Sequence, residues 1–432
     1  MTQQKATMDK IQPESGQKPP RGYHTIRVPI AEADYARFLN EIAFARIVLD
    51  QLITQHPELF PESMQTHYVF YGFTAASRKM GLRCRRVRAG RRTGPVYTLA
   101  PSFVLPYMCG ATQTASLGLL LLRYNVPYWV VAFVLGRNAM YWYRLACSLG
   151  RFSLVGTTVK QPEKLPRHLL ADEKHTRLCG QKAYVALTAG ADCILGASLC
   201  ESASEEALKT AYGVFAEEAT QLNRAYVPET VNTDGWWPTQ KAWQALFAPI
   251  VVIQCFLHAF IKIRHRATKK LTEAFDTVSD KVWHSYRAET KRGFSQRLRR
   301  LREWAEQHLE ASAMQEHVLE LCAKRDRFIK SYDHPGAHRT SNMVDRLMKV
   351  LDRAFFAGQY FHGSLGAAER RVRSLSLLWN FCPSSPTTVR KYAGQYCPAE
   401  RLNGYRYHDN WLENLLISAS MNGYRDCQQN PG

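Results

Sequence analysis

Tyr226-Val-Pro-Glu-Thr-Val-Asn-Thr233-Asp234-Gly235-Trp236 reads as a strand that delivers an aspartate into a turn-forming Asp-Gly pair. A second apolar run, Ile250-Val-Val-Ile-Gln-Cys255-Phe-Leu-His258, brings Cys255 21 residues after that aspartate (255 − 234). Upstream, His168-Leu-Leu-Ala-Asp172-Glu-Lys-His175 presents another aspartate in the same way. Adjacent strands bring carboxylates that are remote in sequence within reach of shared divalent cations, so the pattern points to metal-dependent phosphoryl transfer.

Composition bounds the partners. At 432 residues and 46% hydrophobic content, the chain is long enough for about two to four domains with buried cores. Its 57 Lys+Arg against 37 Asp+Glu give a formal charge of +20, with a pI near 9.5. Such a surplus favours a polyanion, nucleic acid before an acidic membrane. Eleven cysteines form no Cys-x-x-Cys pair, and the odd count fits reduced thiols better than a disulfide framework. Residues 1–22 are polar, carry no signal-peptide pattern and read as a disordered tail. The most membrane-like stretch, 115–136, contains Arg123, Asn125 and Pro127, which argues against a lipid-spanning helix.

Residues 23–155 read as a helical DNA-binding region. One helix is expected from Ile30 to about His56. The basic segment 78–92 has no acid, a strand-like Val96-Tyr-Thr-Leu follows it, and its Arg83, Arg85, Arg86, Arg88, Arg91 and Arg92 are the expected phosphate contacts. Residues 113–150 predict a helix-turn-helix: Leu117 to Arg123, then a helix opened by Pro127, a Gly136-Arg-Asn turn, and a recognition helix from Ala139 to Leu149. From about 165 the pattern becomes three strands (167–172, 183–187, 193–199) and an amphipathic helix (201–222) capped by Ser202 or Ser204. A strand (226–234), a helix (239–247) and a strand (249–254) follow. The fold class is mixed α/β, with a catalytic core over 165–263 and 337–380. An all-helical, arginine-rich insertion at 264–336 interrupts it, and 381–432 reads as a C-terminal tail region.

Phosphodiester cleavage requires neutralisation of charge on a pentacoordinate phosphate and activation of water or a 3′-hydroxyl. Two Mg²⁺ (or Mn²⁺) ions about 4 Å apart do both, held by two or three carboxylates. Asp172 and Asp234, expected at the ends of neighbouring strands, would bridge them. The third carboxylate should come from a helix at the same sheet edge: Asp345, with Glu369 as competitor. Lys349 (i+4) and Arg353 (i+8) are expected on the Asp345 face, gripping the DNA backbone. Cys255-x-x-His258 is half a zinc site without the other half. His258 is instead expected to face the metals or the scissile phosphate, with Cys255 beneath it.

Taken together, these motifs resemble the bacterial insertion-sequence transposases of the DDE superfamily, which share a ribonuclease H-like core. The likeness rests on Asp172 in Ala-Asp-Glu-Lys-His, Asp234 in Asn-Thr-Asp-Gly-Trp, and the Cys255-x-x-His258 that Mutator-like and hAT-like transposases place after the second aspartate. Arg339-Thr-Ser-Asn-Met-Val-Asp345 is similar to the family's Arg-Thr-(Ser/Thr)-Asn-x-x-Glu. Cys397-Pro-Ala-Glu-Arg-Leu-Asn-Gly404 and Tyr407-His-Asp-Asn-Trp411 extend the likeness, which spans roughly 165–420. It implies a ribonuclease H-like core with an N-terminal helix-turn-helix, acting in the bacterial cytoplasm on the nucleoid. It also implies a homodimer or larger assembly on double-stranded DNA that binds terminal inverted repeats, frees a 3′-hydroxyl and joins it to target DNA. Asp345 departs from the family's Glu and reaches one methylene less far. The same residues also admit a DNA-binding descendant without turnover, or another nuclease on this fold such as a junction resolvase.

Overall fold

Two β-sheets and many helices make up a mixed α/β fold in the computed structural model, which describes residues 22–424 apart from 79, 91–92 and 268–271. The expected N-terminal tail therefore lies outside the described residues except for Gly22, as do Arg91 and Arg92.

Where a helical region is expected, the chain builds a four-stranded sheet. Strands β1 (Thr25–Val28), β2 (Tyr68–Phe73), β3 (Arg85–Ala89) and β4 (Val96–Pro101) lie in the order β1-β4-β3-β2. Helices α1 (Glu32–Asn40), α2 (Ile42–Gln55) and α3 (Glu62–Thr66) pack with it around Phe38, Leu49, Met64, Val87 and Leu99. The single helix expected from Ile30 to His56 is split, because Glu41 takes extended geometry (φ −101°, ψ 110°). A third of the basic segment 78–92 is a strand. Its alternation buries Arg85, Val87 and Ala89 and leaves Arg86 and Arg88 half-buried on the other side. Arg88 lies 3.9 Å over the Tyr71 ring, with Arg86 at 5.4 Å. Arg85 cannot serve as the expected phosphate contact. It is 3% exposed, and its guanidinium donates to Phe38 O (2.9 Å) and Leu39 O (2.6 Å), carbonyls that the end of α1 leaves without helical partners.

Helices α4 (Thr112–Arg123), α5 (Tyr128–Leu135), α6 (Ala139–Ser148) and α7 (Leu154–Thr158) come next. The apolar stretch at 115–136 is broken by Asn125, in left-handed geometry (φ 63°), and by Pro127 ahead of α5. No helix of the described residues is long and apolar enough to cross a membrane. α4 and α6 approach closely at Gly118, where an added Cβ would lie 2.2 Å from the Trp142 ring. The ten described cysteines are all free thiols.

The second sheet has five strands, β5 (His168–Leu178), β6 (Gln181–Gly190), β7 (Cys193–Cys200), β8 (Thr230–Thr233) and β9 (Val251–Gln254), in the order β7-β6-β5-β8-β9. The β5–β6 and β6–β7 pairs are antiparallel, and β5–β8 and β8–β9 are parallel. α8 (Glu205–Leu222), capped by Ser204 Oγ accepting from Ala207 N, and α9 (Trp237–Leu246) cover one face with Tyr212, Phe215 and Trp243. After β9 the chain enters α10 (Phe256–Arg264), α11 (Thr272–Tyr286), α12 (Lys291–His308), α13 (Ala313–Ala323) and α14 (Arg325–Phe328). These helices form a core of their own around Phe256, Val282, Phe294, Leu298 and Leu321. α15 (Asn342–Ala357) and α16 (Leu365–Phe381) return to cover the other face of the sheet, together with α4 and α6.

The segment read as a tail forms α17 (Pro386–Lys391), α18 (Pro398–Asn403) and α19 (Trp411–Ser418), and it is built into the cores of the two sheets. Leu412, Leu415 and Leu416 pack beside the five-stranded sheet, while Ile417 and Met421 pack in the N-terminal core. Glu413 accepts from Ser102 Oγ (2.6 Å) and Thr112 Oγ1 (2.9 Å).

Because Arg85 satisfies two carbonyls from a buried position, Arg85→Ala is expected to cost roughly 2–3 kcal/mol of stability. Arg78→Ala, at an exposed position of the same run, is expected to change it by less than about 0.5 kcal/mol. Chemical denaturation followed by circular dichroism measures both; equal effects would mean that the Arg85 hydrogen bonds do not hold α1.

Candidate active site

Register sets the site. β5 pairs with β8 at His168↔Thr230, Leu169↔Val231 and Leu170↔Asn232, a constant offset of 62 (230 − 168). Continuing that offset makes Asp172 level with Asp234 (234 − 172 = 62). Asp172 does not stand at a strand end, as the sequence predicts. β5 runs on to Leu178 paired with β6, while β8 stops at Thr233, so the aspartate sits mid-strand where its parallel neighbour ends.

Alternation along β5 sends successive side chains to opposite layers. Leu169 and Ala171 pack in the α8–α9 layer, and Leu170 packs in the opposite layer with α15. Asp172 therefore shares the α15 side. Glu173 turns the other way and accepts from Tyr212 Oη (2.5 Å) and Thr239 Oγ1 (2.6 Å). Asp234 Oδ1 accepts from Trp236 N (2.8 Å), closing the turn that Gly235 makes at φ +97°.

The Cys-x-x-His pair meets Asp345 through Ser341. Cys255 follows β9, its N–H donating to Thr233 O (2.7 Å). Ser341 N donates to Cys255 Sγ (3.2 Å), and Ser341 Oγ lies 3.2 Å from both that sulfur and His258 Nδ1. The same hydroxyl donates to Asp345 Oδ2 (2.9 Å), one turn along α15. Just before it, Arg339 donates to Tyr286 O and Tyr332 Oη (both 2.7 Å), and its carbonyl accepts from Phe256 N (3.1 Å). Sequence reasoning missed Glu173 and Ser341. An acid beside Asp172 on an alternating strand, and a serine four residues before Asp345, were the available signals.

Three of these groups depart from their ordinary proton affinities. Burial pushes Asp172 up to about 7, with the negative charge of Asp234 next and that of Asp345 adding, against the opposing pull of His258. Burial raises Glu173 to about 7 against its two hydroxyl donors. Hydrogen bonding to Cys255 raises His258 to about 9 against burial, with the carboxylates of Asp345 and Asp172 helping. Asp345 is thus close enough to act on Asp172 and His258; the charge of Glu369 acts on Arg373 of its own helix. Lys349 is exposed on α15. Arg353 does not share the Asp345 face. Eight helical residues turn about 80° past it, and Arg353 lines a cavity together with Arg346 and Val350.

Among the described residues, no group of three or more His, Cys, Asp or Glu side chains is already gathered to hold a metal ion. The donor chemistry suits Mg²⁺ in type and charge, since the carboxylates that influence one another are oxygen donors. Asp172, Asp234 and Asp345 are the residues that would hold it.

Folded Asp172 keeps its proton to about pH 7, whereas the unfolded chain loses it near the ordinary aspartate value of 3.8. Between those limits folding takes up a proton, so the stability contribution is intact at low pH and falls as pH rises through that window. In metal-free buffer, Asp172→Asn is expected to raise the unfolding temperature more at pH 8 than at pH 4.5. An equal shift at both would show that Asp172 ionises normally in the fold.

Compared with models of protein families and with curated proteins, the chain matches none, and the chemistry of this site carries the functional reading.

Proposed function

We propose that the protein is a Mg²⁺-dependent DNA transposase with a ribonuclease H-like catalytic core. The observation that carries this reading is the β5–β8 register, which makes Asp172 level with Asp234 on the side covered by the Asp345 helix. The strand order β7-β6-β5-β8-β9 supports it, since three antiparallel strands followed by two parallel ones joined through helices is the ribonuclease H order.

Bound Mg²⁺ ions, or Mn²⁺ in their place, would neutralise the phosphate and activate the attacking oxygen. Asp172 would supply a carboxylate from within β5 and Asp234 one from the turn that follows β8, with Ser341 orienting Asp345 through one hydrogen bond. His258 is cationic at neutral pH and favours an anionic phosphate beside the carboxylates. The helices at 113–150 would act as a helix-turn-helix, with α6 offering exposed Met140 and Arg144 from a helix anchored by Trp142 and Leu145. Arg83, Arg86, Arg88 and Lys349 would contact phosphates of the duplex. The substrate would be double-stranded DNA, the element's terminal inverted repeats and a target, engaged by a homodimer or larger assembly on the bacterial nucleoid.

Asp172→Ala and Asp234→Ala are each expected to abolish strand cleavage while leaving binding to element ends near wild type. Cleavage above a few per cent in either variant would falsify the two-metal assignment. Asp345→Glu should retain cleavage, Asp345→Asn should lose it, and Glu369→Gln should be nearly silent; the reverse pattern moves the third carboxylate to Glu369.

Salt tests the DNA interface separately. Full-length protein is the right material, since α19 completes the N-terminal core. Contact with about six phosphates predicts an affinity loss of roughly 10³-fold between 50 and 200 mM salt. Affinity indifferent to salt would remove the phosphate contacts.

A further inference from the structure

A cavity of about 430 Å³ opens between α4, α15, α16 and the α17–α18 segment. Five cationic side chains line it: Arg346 and Arg353 from α15, Arg123 from α4, Lys391 from α17 and Arg401 from α18. Asp192 is its single acid, and that carboxylate is already taken by Arg346 at 2.5 Å. The walls include two aromatic rings, Trp379 and Tyr392. Trp379 is fixed by its Nε1 donating to Asp192 O (2.9 Å), and the Arg123 guanidinium lies 4.9 Å over its ring. Arg401 lies 4.6 Å over Tyr392, and its Nε is buried without a hydrogen-bond acceptor among the described residues. Ser384, Ser385 and Thr388 add hydroxyls to its lining.

Uncompensated guanidinium groups beside flat aromatic faces suit a ligand that joins an anion to a planar ring. A nucleotide has both, the phosphate for the cations and the base for the rings. The cavity has the volume of a small-ligand site and is far too small for a duplex. We propose that it holds one unpaired nucleotide of a DNA strand. This rests on the transposase reading only for the source of the strand. Arg346 and Arg353 stand on the same helix as Asp345, α15, so one element carries both the cavity lining and the third carboxylate.

The test uses full-length protein in EDTA, with fluorescence anisotropy on a blunt duplex and on the same duplex carrying a three-nucleotide overhang. Wild type is expected to prefer the overhang by about tenfold, the scale of stacking one base. Tyr392→Leu and Lys391→Glu should each remove that preference and leave blunt-duplex affinity unchanged, with thermal unfolding confirming the fold. Deoxyadenosine monophosphate should compete with the overhang only at high concentration. Tight binding of that mononucleotide without any overhang preference would overturn the strand as occupant. No preference at all, or equal losses on both duplexes in the variants, would overturn the pocket. Because no cleavage is read, an overhang preference in a protein that never cuts DNA would count against the transposase reading alone.

Discussion

Glu173 accepts two hydrogen bonds, from Tyr212 on α8 and Thr239 on α9, and they hold the face of β5 on which the site depends. β5 is covered on both faces, with Leu169, Leu170 and Ala171 at 0%, 0% and 1% exposure. On such a strand hydrophobicity chooses register only weakly, because either face can receive an apolar side chain. The acids decide. A slip of one residue would withdraw Glu173 from its two hydroxyls and turn Asp172 into their layer, leaving a buried carboxylate without its partners. Holding Glu173 on the helix side therefore holds Asp172 on the α15 side, level with Asp234.

The second constraint is Ser341, where segments that are far apart in sequence converge. Cys255 and His258 arrive from the end of β9 and from α10, and Asp345 arrives on α15, after the helical insertion. Phe256 N to Arg339 O brings the two ends of the insertion together, so its helices leave and rejoin the core at one point. A loop closed in this way adds length at little entropic cost, provided that it buries its own apolar surface. It does so around Phe256, which starts α10 and packs on Tyr286, Phe294 and Phe328. Arg339 ties that core back to the site through Tyr286 and Tyr332.

Much of the five-stranded sheet was legible because its strands read as apolar runs between turn signals, and the spacing of Asp172, Asp234 and Cys255-x-x-His258 followed. Of the N-terminal sheet only the strand-like Val96-Tyr-Thr-Leu was, as part of β4. In Arg85-Arg86-Val87-Arg88-Ala89 charge hides an alternation that burial obeys, since a guanidinium can be buried when helix-end carbonyls accept from it. Asp172 was expected at a strand end because a sequence gives no sign that β5 continues alongside β6 after β8 stops. Arg353 was assigned to the Asp345 face from its i+8 spacing, yet the accumulated helical angle sends it toward Arg346. The C-terminal segment looked like a tail because Cys382-Pro-Ser-Ser-Pro signals a turn, and a turn does not reveal what the following helices pack against.

Charge placement gives the architecture its direction. Among the described residues, the deeply buried charged side chains are Arg85, Lys160 and Arg373 against Glu218, Glu400 and Glu413, three of each sign. Burial at these six positions therefore removes no net charge from the described residues (3 − 3 = 0), and the chain's formal excess of +20 is not reduced by them. Such a field draws a polyanion to the surface from solution. At the site itself the sign reverses: burial first, then the negative charges of Asp234 and Asp345, keep the proton on Asp172 to about pH 7 against the pull of His258. A phosphodiester drawn in by the surface would meet repulsion there unless cations intervene, and under the proposed function this local reversal is what makes the chemistry metal-dependent.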